Sequence, residues 1–309
     1  MNIKKLEGVE VFLWYMCNLD CEFCFQRDLR KNFFKWKEFD TDYVKFFLEK
    51  ARKENKEFVI FSGWEPTLRT DLSELVDFAR KIGYKEIKVH SNWYKISEED
   101  YLRDLYNKWL TGLIISVHGI WKNQDLISKR KWNFIFLNKA LINVKKLIKE
   151  DPSFTLDTNT VICSKNISSF LHIFLYLFKF HIQRSQIAYP VSLFNFSLKE
   201  KKKILLPYKM IIPIVEKVLI LSKKFGRKIV IQGFPYCVVP PSLWPFCEHD
   251  DNTDMESLSL VNYTLTRDAT YDNIKLEKCK LCKFYNKCKG IPKDYYEFFW
   301  DNDIIPIVE

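Results

Sequence analysis

Cysteine is the residue type in this 309-residue chain whose number and spacing can do chemistry. There are nine: Cys17, Cys21, Cys24, Cys163, Cys237, Cys247, Cys279, Cys282 and Cys288. Three fall within eight residues near the N-terminus, and five lie beyond residue 236. The first residues, MNIKKLEGVEVF, lack the apolar run and small-residue cleavage site of an export signal. An odd cysteine count in such a chain argues against a disulfide framework. Closely spaced thiolates in a reducing compartment point to metal instead. Cys17-Asn-Leu-Asp-Cys21-Glu-Phe-Cys24 is Cys-x3-Cys-x2-Cys. Three thiolates on a short loop can hold three irons of a [4Fe–4S] cube and leave the fourth iron open to a small molecule. Zinc is the competing reading, but a closed zinc site wants a fourth local ligand, and none appears before His90.

The second group is Cys279-x2-Cys282-x5-Cys288. It needs a fourth ligand, which Cys237 or Cys247 can supply. Cys237 is preferred because it follows directly on the strand pattern IVIQGFPYC. A zinc site built from four of these cysteines, or from three with His249, competes with an iron–sulfur cluster. Either would help fold a segment with little core of its own.

The elements that must position these residues alternate in type. Strand patterns are read at Val9–Met16, Glu57–Phe61, Glu86–His90, Leu113–Val117, Phe154–Ile162, Gln186–Val191 and Lys228–Gln232. Helical patterns lie between them at Thr41–Lys53 (capped by Thr41, with Tyr43, Phe46, Phe47 and Ala51 on one side), Asp71–Ile82, Ser97–Trp109 (capped by Ser97), Asn133–Lys149, Ile167–Phe180 and Tyr208–Phe225. This order predicts an α/β chain, a partial (β/α)6 TIM-like barrel with a small C-terminal metal-binding domain. The boundary falls near residue 233, giving residues 1–232 and 233–309, because prolines and cysteines replace the βα periodicity there. Functional residues should then gather after strand C-termini. The first cysteine group and the turn Ser62-Gly63-Trp64-Glu65-Pro66 both occupy such places.

Composition excludes disorder and collagen-like classes: 47% of residues are hydrophobic, and there are only 8 Gly and 11 Pro. The net charge of +10 keeps RNA in play as a partner. The densest basic run, Lys199–Lys203, reads as a solvated face. The most apolar stretch, Phe170–Ile182, is too short to span a bilayer and reads as a buried helix, so a cytoplasmic location is expected.

Cys17-x3-Cys21-x2-Cys24, with Phe23 beside the last cysteine and a strand before the first, resembles the signature of the radical SAM superfamily. The resemblance covers residues 9 to about 232. It implies a [4Fe–4S] cluster on Cys17, Cys21 and Cys24 that binds S-adenosylmethionine (SAM). It further implies reductive cleavage to a 5′-deoxyadenosyl radical that abstracts a substrate hydrogen. Gly63-Trp64-Glu65-Pro66, directly after Ser62, then corresponds to the family's Gly-Gly-Glu-Pro turn, with Glu65 near the SAM amino group and Trp64 where the family usually has a second glycine. By the same resemblance, polar residues at later strand ends contact SAM: Asn92, Ser116, His118 and Asn159. His118 is also a candidate proton carrier. His90, His172, His181 and Cys163 are read as core or surface positions. Trp14 and Phe25, with Phe23 and Trp64, are expected to dry the site. Cys279-x2-Cys282-x5-Cys288 resembles part of the SPASM/Twitch extensions, which bind auxiliary clusters. A full SPASM set would need a cysteine at 292, which is Pro292, so one auxiliary [4Fe–4S] cluster is expected. The resemblance suggests a peptide or protein side chain as substrate, with a small alcohol or sugar, or RNA, as alternatives. It implies ferredoxin or flavodoxin as electron donor. No separate leader-binding domain is apparent before residue 9. The non-enzymatic alternative is a metal-binding scaffold, against which Cys17, Cys21, Cys24 and Glu65 all speak.

Overall fold

A computed structural model of the chain describes residues 7–13, 16–24, 39–190, 193, 196–247, 254–258 and 273–308. Its centre is one parallel sheet whose strands alternate with helices. In chain order these are β1 (Glu7–Phe12), α1 (Thr41–Lys53), β2 (Phe58–Ser62), α2 (Leu72–Lys81), β3 (Glu86–Ser91), α3 (Glu99–Asn107) and β4 (Gly112–Ser116). There follow α4 (Lys122–Ser128), α5 (Asn133–Glu150), β5 (Thr155–Val161), α6 (Phe170–Leu177), β6 (Arg184–Ala188), α7 (Leu198–Ile204), α8 (Tyr208–Lys224) and β7 (Lys228–Gln232). Beyond these lie β8 (Asp254–Leu258), β9 (Asn273–Ile274), β10 (Ile291–Pro292) and α9 (Lys293–Phe299).

The strand order is β7-β6-β5-β4-β3-β2-β1-β8, every pairing parallel, so β1 to β7 cross the sheet in sequence and β8 returns to the β1 edge. Right-handed crossovers with helices between consecutive strands curl such a sheet into a half-barrel. The eighth strand was not legible in the sequence: β8 pairs with β1 from beyond the expected boundary at 233.

Each strand divides its residues between two faces. Val9, Val11, Val59, Phe61, Ile87, Val89, Leu113, Ile115, Leu156 and Ile187 are fully buried and share a core with Leu75, Val76, Leu105, Leu141 and Phe174 of the helices. Many of the alternate positions are polar, among them Glu10, Lys88, His90, Ser116, Asp157, Asn159, Gln186 and Gln232. Lys88 reaches Asp157 at 2.9 Å, His90 Nε2 lies 3.1 Å from Ser116 Oγ, and Gln186 Nε2 donates to Gln232 Oε1 at 2.6 Å. The half-barrel thus has an apolar back, covered by helices, and a polar inner face.

Local chemistry moves several expected boundaries. Asp40, not Thr41, caps α1, its side chain accepting from Asp42 N, while Thr41 Oγ1 donates to Asp71 Oδ2 at 2.6 Å. Tyr43 and Phe46 on α1 are exposed, and the buried stripe is Val44, Phe47, Leu48 and Ala51. Ser97 does not cap α3; its hydroxyl donates to Tyr94 O, and the helix starts at Glu99. The segment expected as one helix over 167–180 is a 3-10 turn followed by the shorter α6. The basic run is not wholly a solvated face. Lys199, Lys202 and Lys203 are exposed, but Lys201 is 5% exposed and pairs with Asp294 and Glu297 of α9. Among the described residues, no helix is long and apolar enough to cross a membrane.

Candidate functional site

The first cysteine loop leaves β1 at the C-terminal edge of the sheet and is held from below by α4. Asp20 N donates to Ser128 O at 3.3 Å, and Glu22 N to Ile127 O at 2.9 Å. Leu19 N donates to Cys17 Sγ at 3.3 Å, and Cys24 N to Cys21 O at 3.1 Å. These bonds fold eight residues into a short cradle that brings the three thiols near enough to act on one another electrostatically. Burial, followed by the nearby Glu65 charge, pushes the Cys17 thiol up to about 12. Burial and then the charges of Cys24 and Cys17 push the Cys21 thiol well above its ordinary value. Half-buried thiols that penalise one another's ionisation fit a cationic metal cluster, which reverses that penalty. A cleft of about 540 Å³ opens beside the loop, lined by Cys17, Asn18, Leu19, Asp20, Lys129 and Arg130. Among the described residues, no three or more His, Cys, Asp or Glu side chains converge as a site for a single metal ion.

The turn after β2 is adjacent. Gly63 takes φ 120°, a backbone state that side chains strongly disfavour, so the glycine is needed there. Glu65 is fully buried. Its Oε1 accepts from Thr67 N, Thr67 Oγ1 and Ser91 Oγ, and its Oε2 accepts from Asn92 N at 2.6 Å. Burial raises its pKa against the pull of these four donors. In this structure Glu65 therefore joins the turn after β2 to the end of β3. Arg69 ties the same turn to Leu13 O, Phe39 O and the Asp71 carboxylate.

Asn92 bridges the two motifs: its Nδ2 donates to Cys17 Sγ at 3.4 Å and to Asn18 Oδ1 at 2.7 Å. Ser116 and Asn159 are partners across β4 and β5. Asn159 Oδ1 is buried with no hydrogen-bond partner among the described residues. An orphaned buried acceptor on the polar inner face is what a site awaiting a ligand donor would contain. His118 follows β4, and its ring meets Phe23 edge-on at 4.6 Å. Its Nδ1 accepts from Val161 N at 3.1 Å, so the neutral ring carries its proton on Nε2. Burial, with His90 nearby, pulls its pKa down to about 3. A ring held neutral in this way, with Nδ1 already engaged by Val161 N, is placed to orient its neighbours at ordinary pH. Ser62 and Trp64 are buried beside Glu65. Trp14 and Phe25 lie outside the described residues, as does His249.

The second cysteine group forms its own cavity. Cys237, Cys279, Cys282 and Cys288 line it together with Tyr236, Lys275, Gly290 and Ile291. Burial, then the charges of Cys288, Cys279 and Cys282, push the Cys237 thiol up to about 12. Burial also raises Cys288, opposed by the Gly290 N–H that donates to its sulfur at 3.4 Å. Cys247 is elsewhere: it is 2% exposed in the core and bridges to Ile231 of β7. Cys163 is likewise a core residue, while His172 and His181 are exposed.

Sequence reasoning missed the inner-face groups Lys88, Asp157, Gln186 and Gln232, and Arg130, whose Nη1 donates to Asn18 O at 3.1 Å while its guanidinium stacks on Tyr94. The signal was present for Lys88 and Asp157. In EIKVHS and TLDTNTV, polar residues alternate with apolar ones at the strand period of two.

A parallel half-barrel with three cysteines after its first strand and a buried glutamate after its second defines a class of protein. The sequence profile of the radical SAM superfamily matches residues 11–177, and the chain belongs to that superfamily of enzymes. It is 30% identical over 133 residues to the 7,8-dihydro-6-hydroxymethylpterin dimethyltransferase of Methanocaldococcus jannaschii, covering 42% of this chain and 26% of that protein. It is 30% identical over 167 residues to the GTP 3′,8-cyclase of Aquifex aeolicus, covering 52% of this chain and 48% of that one. The match therefore spans less than half the length of either relative. In fold it is similar to Streptococcus suis SuiB bound to SAM, with TM-score 0.65 and 14% identity over 94% of this chain and 73% of SuiB. It is also similar to anSMEcpe with bound AdoMet, with TM-score 0.58 and 17% identity over 73% of this chain and 64% of that one.

Proposed function

We propose that this chain binds a [4Fe–4S] cluster and SAM at the Cys17–Cys24 loop, carries one auxiliary [4Fe–4S] cluster on Cys237, Cys279, Cys282 and Cys288, and modifies a peptide or protein side chain. The observation that carries this reading is the pairing of a three-thiol cradle beside an open cleft with a separate cavity lined by four thiols. Three thiols leave one iron of a cube for SAM, and four complete a cube. A cluster held by Cys17, Cys21 and Cys24 would supply the electron for reductive cleavage of SAM, and with it the hydrogen-abstracting chemistry of the superfamily.

The chain's own residues bind, orient and exclude water. Cys17, Cys21 and Cys24 release their protons to take up metal, since only thiolates ligate. Asn92 holds Cys17 in place through its amide. Glu65 acts as a positioning residue, fixing the Gly63–Trp64 turn so that backbone groups face the methionine end of SAM. Ser116 and Asn159 offer hydroxyl and amide contacts from the inner face, and the neutral His118 braces Phe23 against the cysteine loop. Lys129 and Arg130 border the cleft at which an acidic one-electron donor, a ferredoxin or flavodoxin, would approach.

The SuiB fold has been seen with a precursor peptide, and that shape covers nearly all of this chain, which favours a peptide substrate. A small-molecule substrate is the second reading, favoured by the match to the GTP 3′,8-cyclase. The function is tested by anaerobic reconstitution and assay of 5′-deoxyadenosine under dithionite. Replacing Cys17, Cys21 and Cys24 together by Ala should abolish product. Undiminished cleavage in that variant would overturn the assignment.

A further inference from the structure

Glycine is scarce here and tryptophan is not: the chain has 8 Gly and 9 Trp. At the average usage of about 7%, glycine would number about 22. Among the described residues, seven other than glycine have positive φ, and five of them are tryptophan: Trp93 (68°), Trp109 (72°), Trp121 (49°), Trp132 (63°) and Trp300 (55°). Bulky residues are the least suited to this region, and the usual exceptions are Asn, Asp and His.

Each of these tryptophans occupies a place that glycine fills. Trp109 follows the C-cap of α3, where Trp109 N bonds to Tyr106 O and Leu110 N to Leu105 O. This is a helix end that ordinarily takes glycine in the left-handed conformation. Trp121 (φ 49°, ψ −133°) and Trp300 (φ 55°, ψ −143°) hold the dihedrals of the first central residue of a type II′ turn, a glycine position. Trp132 is left-handed immediately before α5. Trp93 is fully buried, and its indole N–H has no hydrogen-bond partner among the described residues.

The indoles do not justify the backbone. Those of Trp109, Trp121, Trp132 and Trp300 are 58–69% exposed. Their aromatic contacts are slight: Arg80 over Trp109, and Tyr296 beside Trp300 at 6.1 Å. Trp244 is the contrast, with φ outside this region. Its Nε1 donates to Tyr236 O and Val239 O, and its ring packs on Tyr236 and Phe284.

We infer that the protein made in its own cell carries glycine, not tryptophan, at positions 93, 109, 121, 132 and 300. One triplet joins the two residues. UGA is read as tryptophan in one variant genetic code and as glycine in another, so a gene using the second and translated with the first yields this pattern. Position 64 follows by the same triplet, though not by its own φ, and this part rests on the proposed function. Trp64 is buried beside Glu65 in the turn proposed to face SAM. Glycine there leaves backbone in place of an indole and opens room for the ligand's methionine end.

The test is peptide mass. Protein purified from its source cells and cut with trypsin gives peptides 57–69, 89–95, 109–122 and 132–139 and the peptide that begins at residue 294, which together hold all six positions. Each is expected at the glycine mass. Tryptophan masses in these peptides would overturn the inference. Recombinant chains supply a second reading: Trp93, Trp109, Trp121, Trp132 and Trp300→Gly together should raise Tm, although glycine ordinarily loosens a fold, and a lower Tm would count against it. Trp64→Gly in the reconstituted protein should bind SAM at least tenfold more tightly. Glycine masses without that gain would remove the ligand role of position 64 and leave the other five assignments standing.

Discussion

Replacing Lys201 with Met should destabilise the chain by about 3–5 kcal/mol, the usual consequence of removing one partner from a buried ion pair. Lys201 on α7 is 5% exposed and Asp294 on α9 is 6% exposed, with the ammonium 2.6 Å from one carboxylate oxygen. Burial pulls the ammonium's pKa down, but Asp294 and Glu297 outweigh it and hold the value above that of an ordinary lysine. Glu297, 2.8 Å away, has a side chain 36% exposed, so it can turn to water when Lys201 is lost. Asp294 cannot, and its charge stays buried. The other Asp294 oxygen accepts from Leu193 N at 2.7 Å, a bond that asparagine can keep. The double variant Lys201→Met, Asp294→Asn should therefore recover at least about 2 kcal/mol of the loss as a coupling term. Equilibrium urea unfolding of the four members of the cycle measures this. The same bond anchors the helix that directly follows Gly290 and β10, so the single variant should also hold its second metal group less firmly. A loss under about 1 kcal/mol in Lys201→Met, or a double variant as unstable as the sum of the singles, would refute the reasoning.

Other outcomes follow from the same geometry. Burial depresses His118 to about 3 and His90 to about 4, so both stay neutral in the fold while their unfolded counterparts charge below about 6.5. The stability they contribute is present above pH 6.5 and lost as pH falls from there toward 4, on the order of 3 kcal/mol for each histidine, measurable as Tm against pH and absent in His118→Gln, His90→Gln. Gly290→Ala should disrupt the second cysteine cavity: φ is 89°, and a Cβ would lie 2.3 Å from Ile274 O. About 2 kcal/mol of stability and much of the auxiliary metal should be lost, read by urea unfolding and iron content. Cys237→Ala should remove about four irons, and Cys247→Ala none. The reverse ranking would make Cys247 the ligand.

Strand and helix order were legible because apolar runs and helical periodicity are local properties of the chain. So was the Cys17–Cys24 motif that the superfamily profile covers, because thiol spacing is itself local. Which of Cys237 and Cys247 joins the last three cysteines was only a preference, since that depends on how 3-10 turns fold the Pro235–Pro245 segment over β7. Glu65 was found by its motif, but its partners Thr67, Ser91 and Asn92 converge from two strand ends and could not be read from one. Lys201 looked like part of a solvated run because a residue 93 positions away neutralises it. The β8 strand is a short polar segment, DMESL, placed by pairing with β1 and not by any periodicity of its own.

Metal content of the anaerobically reconstituted chain tests the central claim most directly, with iron, sulfide and zinc measured per chain alongside 5′-deoxyadenosine formed from SAM. Two clusters give about eight irons and no zinc, with 5′-deoxyadenosine appearing under reductant. About four irons with one zinc would contradict the auxiliary cluster, and a full iron complement without cleavage of SAM would contradict the assigned chemistry.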